Sequence, residues 1–286
     1  MRWSERQVAM LQEMGIRLWP DPHGRTVDFP LPPAERGDRG AVPCGRTDGT
    51  PLPPAERGES SAGVLPESGV GAPAVVRDRA VGVEAMDWQT LRQAVVDCTS
   101  CKLCSGRRQT VFGVGHLRAH WMVVGEAPGE QEDIQGEPFV GKSGQLLDNM
   151  LRALGLSRRE TPPPGGEGSA GDPARQVYIA NTLKCRPPGN RNPEPDELAQ
   201  CEPFLIRQIA LVQPRIILAM GRFAVQSLLR SNEPVGRLRG RVHRYQGVPL
   251  IVTYHPAYLL RNPEDKARAW DDLCLAAETA ASLAGD

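Results

Sequence analysis

Four cysteines fall into two clusters far apart in the chain. Cys98 and Cys101 form a C-x2-C pair, and Cys185 and Cys201 follow with fifteen residues between them. Thiolates from two such regions can close one tetrahedral zinc site or one iron–sulfur site, and spacing does not choose between the two. Cys104 extends the first pair to C-x2-C-x2-C and is either a fifth candidate or a spare. The plain alternative is a set of small, buried, apolar cysteines; Cys201 does fall on an apolar helical face. Two clusters together weigh against that alternative. Seven cysteines in a reducing compartment also favour metal or cluster binding over disulfides.

Three further segments place polar chemistry at the ends of short apolar runs. Gly125-Glu126-Ala127-Pro128-Gly129 follows Trp121–Val124, and its glycines let the backbone approach a ligand. Glu126, Glu130, Glu132 and Asp133 crowd that turn, which is either a solvated acidic face or the wall of a pocket. Phe139, between Pro138 and Gly141, is either core or a stacking surface for a flat base. Asn181 follows Val177–Ala180 without a break. Its carboxamide offers a donor beside an acceptor, which matches the O4 and N3–H edge of uracil and mismatches cytosine. His255 follows Val248–Val252 and is either a satisfied core histidine or a donor to an oxygen that gains negative charge.

The elements that must hold these residues read as alternating strands and helices. Four apolar runs, at 121–124, 177–180, 216–219 and 248–252, predict parallel strands buried on both faces. Helices are predicted over 87–96, 144–154, 195–212, 223–229 and 264–281, with extended or hairpin structure over 238–245. That alternation predicts a doubly wound α/β sheet, whose ligands bind beyond the carboxyl ends of the strands. The three polar motifs sit there.

Outside this unit the composition changes. Gly 30 and Pro 27 are both high. Residues 20–86 are rich in Pro, Gly, Arg and Glu, a composition that predicts a disordered linker. Within it Leu31–Gly37 recurs nearly unchanged as Leu52–Gly58, too few copies for a solenoid. Residues 161–173 predict a Pro/Gly surface loop. In residues 1–19, Val8, Leu11, Met14, Ile16, Leu18 and Trp19 are apolar and follow a helical start, which predicts a short amphipathic, partner-binding peptide on a tether. The folded unit is expected over 87–286. The 34 basic and 34 acidic residues cancel, so overall charge makes no case for nucleic acid. Locally, Arg237, Arg239, Arg241, His243 and Arg244 make a basic stretch. The chain has no apparent signal peptide or spanning apolar run, so a soluble, cytoplasmic protein without membrane contact is expected.

Taken in order, the C-x2-C pair, GEAPGEQED, GEPFVGKSGQLL, VYIANTLKCRPPGNRNP, LAMGRFA and TYHPAYLLRNP resemble the family 4, iron–sulfur uracil-DNA glycosylases, from about Cys98 to Leu273. The resemblance implies a three-layer α/β/α sandwich around a four-stranded parallel sheet, here with a disordered N-terminal extension. It implies a structural [4Fe-4S] cluster on Cys98, Cys101, Cys185 and Cys201, with Cys104 spare. It implies a uracil pocket of Glu126, Ala127, Phe139, Asn181 and His255, in which Phe139 stacks, Asn181 reads the base edge and His255 stabilises the departing uracil at O2. Related families place a water-activating Asp where this chain has Ala127, so Glu126, Glu132 or Asn190 is expected to position the water. Tyr258, Leu259 and Leu260 are candidates for the wedge that fills the gap left by a flipped base, and Arg237, Arg239, Arg241 and Arg261 for phosphate contacts. The implied activity is base-excision repair of uracil-containing DNA by a monomer. Rival readings are a glycosylase for another deaminated base and a catalytically silent, cluster-bearing DNA-binding protein. The first twenty residues are similar over a short stretch to the N-terminal peptide of the psi subunit of bacterial DNA polymerase III, implying a replication or repair partner.

Overall fold

The computed structural model describes residues 82–159 and 172–283. The expectations for the N-terminal peptide, the duplicated spacer and most of the 161–173 loop lie outside the described residues. Four runs of apolar residues form the inner strands: β2 (Trp121–Gly125), β3 (Val177–Asn181), β4 (Ile216–Met220) and β6 (Val248–Thr253). They are parallel, in the order β3-β2-β4-β6. Almost every residue in them is buried, which is why they read as continuous rather than alternating apolar runs.

The sheet is wider than the four parallel strands expected. A short β1 (Val114–Gly115) pairs antiparallel with β3 at one edge, and β5 (Val242–Tyr245) pairs antiparallel with β6 at the other. Of the 238–245 stretch, Val242–Tyr245 is accordingly half of a hairpin closed by Gln246 and Gly247, whereas Leu238 ends the short helix α6 (Val235–Leu238).

Side chains leave the strands alternately to two helical layers. One layer holds α3 (Lys142–Ala153) and α8 (Lys266–Ser282), packed through Leu147, Met150, Trp270 and Leu273 on Val123, Ile179, Leu218 and Ile251. The other holds α4 (Pro195–Val212) and α5 (Arg222–Leu229), packed through Leu205, Ile209, Val225 and Leu228 on Met122, Val124, Ile217 and Val252. This is the α/β/α sandwich. A third cluster joins α1 (Trp88–Val96) to Leu183, Cys185, Cys201 and Phe204.

Among the described residues, packing extends before the expected boundary. Val83 is 5% exposed and packs into the third cluster, and Arg207 Nε donates to the Met86 carbonyl at 2.5 Å. The linker assignment is therefore corrected for residues 82–86, whose burial outweighs the local composition. Among the described residues no helix is long and apolar enough to cross a membrane.

Candidate active site and cysteine centre

The inner strands end at one rim of the sheet, and a cleft of about 830 Å3 opens there. Glu126, Phe139, Asn181, Asn190, Arg222, His255 and Arg261 are among its lining residues. Register brings the first two motifs into contact, because Gly125 pairs with Asn181 across β2 and β3. A Cβ on Gly125 would lie 2.4 Å from Asn181 Oδ1 and 2.6 Å from Phe139 Cζ. Glycine here is a spatial requirement: carboxamide and ring occupy the space a methyl would need.

Asn181 is 2% exposed, and its Oδ1 is buried without a hydrogen-bond partner. An unsatisfied buried acceptor costs about 1–3 kcal/mol, and natural interiors keep few of them. Phe139 is 5% exposed, with φ at 56°, in the left-handed region that non-glycine residues rarely enter. Its ring lies 5.3 Å from that of His255, tilted by 31°.

His255 caps α7 (Pro256–Arg261), a helix with proline at its first turn. Nδ1 accepts the Ala257 N–H at 3.2 Å, so the proton of a neutral ring is carried by Nε2. Burial, and then the nearby Arg261 cation, hold its pKa down to about 4, so the ring is neutral at pH 7. Burial pushes Glu126 above the usual carboxylate range, while Arg222 and Arg261 pull it back. Arg222 was not among the expected site residues; its signal was its place directly after the β4 turn, where strand-end ligands gather.

Glu132 lines the same cleft with both carboxylate oxygens engaged. Oε2 accepts the Gly129 N–H at 3.1 Å, and Oε1 accepts those of Val140 at 3.0 Å and Gly141 at 3.2 Å. It therefore ties the glycine-rich turn to the Phe139 turn. It also stands in the first turn of α2 (Glu130–Gln135), where negative charge meets the positive end of the helix. Asn190 is exposed on a tight turn, and its Oδ1 accepts from Arg186 Nε at 2.8 Å.

The expected DNA-contact residues divide. Arg237, Arg241, Leu260 and Arg261 are exposed. Tyr258 stacks on Tyr254 at 5.0 Å and donates its hydroxyl to Asp265 at 2.8 Å. Two expectations are corrected. Leu259 is fully buried in the first core cluster, so it cannot act as a wedge without leaving the core. Arg239 is paired with the buried Asp272 at 3.0 Å and also donates to the Arg268 carbonyl, so its charge is spent inside the fold.

On the other side of β3, Cys98, Cys101, Cys104, Cys185 and Cys201 all line one small cavity with Arg107 and Lys184. Among the described residues no three His, Cys, Asp or Glu side chains converge closely enough to hold a single metal ion. Arg107 Nη1 donates to Cys185 Sγ at 3.2 Å, and the Lys184 N–H donates to Cys201 Sγ at 3.2 Å. Burial pushes the Cys185 thiol up to about 11 and that of Cys201 up to about 12. Lys184 is fully buried, and its Nζ donates to the Asn181 carbonyl and to Gln208 Oε1, each at 2.7 Å.

The model of the uracil DNA glycosylase superfamily matches residues 112–274. A type-4 uracil-DNA glycosylase of Pyrobaculum aerophilum is 39% identical over 200 residues, which cover 66% of this chain and 93% of that protein. One of Saccharolobus solfataricus is 41% identical over 175 residues, 58% of this chain and 74% of that protein. One of Thermotoga maritima is 37% identical over 182 residues, 63% and 86% respectively.

Proposed function

The chain belongs to the uracil DNA glycosylase superfamily and to its type-4 enzymes, and we propose that it removes uracil from DNA by hydrolysing the N-glycosidic bond, the first step of base-excision repair. The observation that carries this reading is the buried, unpaired Asn181 Oδ1 beside the Phe139 ring. A uracil stacked on Phe139 presents N3–H to that oxygen and O4 to the neighbouring amide N–H, and removes the orphan acceptor. Cytosine, with an acceptor at N3 and a donor at C4, would leave both groups opposed.

The chemistry follows from the same residues. The C1′–N1 bond breaks and its electron pair stays with the uracil, spread over N1 and the two carbonyl oxygens. The Nε2–H of neutral His255 donates to O2 as that charge develops. A fixed donor of this kind is worth about 3–4 kcal/mol. A neutral imidazole suits the task, since it stabilises the anion without first giving up a proton. Water adds to C1′ and gives its proton to Glu126, whose raised pKa suits a base, while Asn190 orients the water. Glu132 acts as a positioning residue, because both its oxygens already accept main-chain N–H groups.

The target base must leave the stack first, at a cost of a few kcal/mol that is least for mismatched uracil. Leu260 is the side chain we assign to the gap, with Arg237, Arg241 and Arg261 on the phosphates. The donor set around the cysteine cavity fits an iron–sulfur group: five thiols line one space, and Cys185 and Cys201 accept N–H donors of the kind that stabilise thiolates. Cys98, Cys101, Cys185 and Cys201 would hold a [4Fe-4S] cluster there. Bound, it supplies a structural cross-link between the segment after α1, the loop after β3 and α4. We assign the chain to the cytoplasm as a monomer, with residues 1–19 as a partner-binding peptide on a spacer.

Uracil release from a labelled U·G duplex, with iron and sulfide measured on the same sample, tests the reading. Release by the wild type and its loss in Asn181→Ala is the expected result. A cluster-loaded protein that binds DNA but releases no uracil would overturn it, and zinc in place of iron would overturn the cofactor assignment.

A further inference from the structure

Phe139 has to present one face of its ring at a fixed height, yet its backbone sits where non-glycine residues are strained by about 1–3 kcal/mol. Such a conformation persists only where its surroundings over-determine it. The turn from Pro138 to Gly141 directs the Phe139 carbonyl inward, against the first turn of α3. A Cβ on Gly144 would lie 1.7 Å from that oxygen, so the approach is open to glycine alone.

Arg158, beyond the end of α3, reaches back into this gap. Its Nη1 donates to the Pro138 carbonyl at 2.8 Å, and its Nη2 to the Phe139 carbonyl at 3.1 Å and the Gly144 carbonyl at 3.4 Å. On its other edge Nε donates to Asp148 Oδ1 at 2.6 Å. The side chain is 8% exposed, so the charge is enclosed, while its carboxylate partner is 42% exposed. An exposed ion pair of this kind would be worth little by itself. The unusual part is the use of one rigid, planar fork on consecutive carbonyls of a strained turn, which an ammonium on a flexible stem cannot reproduce.

We propose that Arg158, braced by Asp148, is the positioning residue that holds the Phe139 turn in its left-handed conformation and so sets the height and tilt of the stacking surface for the base. It touches no substrate. It acts through the ring, and this inference rests on the uracil reading above.

A double-mutant cycle on the full chain tests it. Single-turnover uracil release is measured for wild type, Arg158→Lys, Phe139→Leu and the double variant, with affinity for a duplex carrying a tetrahydrofuran abasic analogue as the second readout. A misplacement on the order of 1 Å costs roughly 100-fold, so Arg158→Lys is expected to slow release by about 10- to 100-fold. Its affinity for the abasic duplex, which has no base to stack, is expected to stay within about threefold of wild type, and the double variant to be no slower than Phe139→Leu by the same margin. Losses that multiply, an equal fall in abasic-duplex affinity, or unchanged release in Arg158→Lys would each overturn the proposal. Should Arg158→Lys fail to fold, Asp148→Asn enters the same cycle, and multiplying losses or unchanged release there would overturn it equally. A wild type that releases no uracil would instead sink the underlying reading.

Discussion

Gly125 has no room for a methyl group, and the atoms in the way are the two that would read the base. Gly125→Ala would push Asn181 Oδ1 and the Phe139 ring aside while leaving the strand backbone intact. Uracil release is expected to fall by about 100-fold, more than melting temperature would suggest, and paired activity and thermal scans check it. His255 makes a prediction with a sign. Its pKa is lowered from 6.5 to about 4, so the folded state favours the neutral ring. That contribution to stability is present above pH 6.5 and is lost as pH falls through about 4. His255→Gln is expected to flatten this part of the stability profile, measured as urea midpoints at pH 7 and pH 4. Glu126 sets a limb in activity: release is expected to decline as pH falls through its raised pKa, and Glu126→Gln to remove that limb.

At the scale of elements, the Glu132 carboxylate joins two turns that share no other hydrogen bond described above. Glu132→Ala leaves three N–H groups without their acceptor and is expected to cost about 1–3 kcal/mol, read from chemical denaturation. Leu260→Ala is expected to slow release from U·A pairs more than from U·G, because a weak pair needs less help to open. The inner strands were legible because burial on both faces leaves one long apolar run each, and Asn181 and His255 were legible because such strands deliver their next residue to the rim. The short helices α2 and α7 were not. Six residues give too few turns for apolar periodicity, and Ile134 is the single large apolar residue of α2. Arg158 and Lys184 escaped for another reason: their partners include main-chain oxygens, which no pattern of side chains encodes.

Across the whole molecule, Lys184 connects the two centres. Its main-chain N–H meets Cys201 and its ammonium meets the carbonyl of Asn181. Cys185→Ala, which removes one ligand of the proposed cluster, is therefore expected to lower melting temperature and slow uracil release together, with iron content measured on the same samples. The N-terminal boundary gives a separate test. A chain starting at residue 87 is expected to be less stable than one starting at residue 82, because it loses the buried Val83 side chain, worth about 1.5–3 kcal/mol. A last consequence concerns where this architecture tolerates novelty. Residues 159 and 172 bound a Pro- and Gly-rich stretch of sequence and lie near the start of β3, whereas the cleft lies beyond the strand ends. Length is free to change at that pole only beyond Arg158, whose guanidinium reaches across to the Phe139 turn. It is the position at which to graft a fluorophore, an affinity handle or a second enzyme.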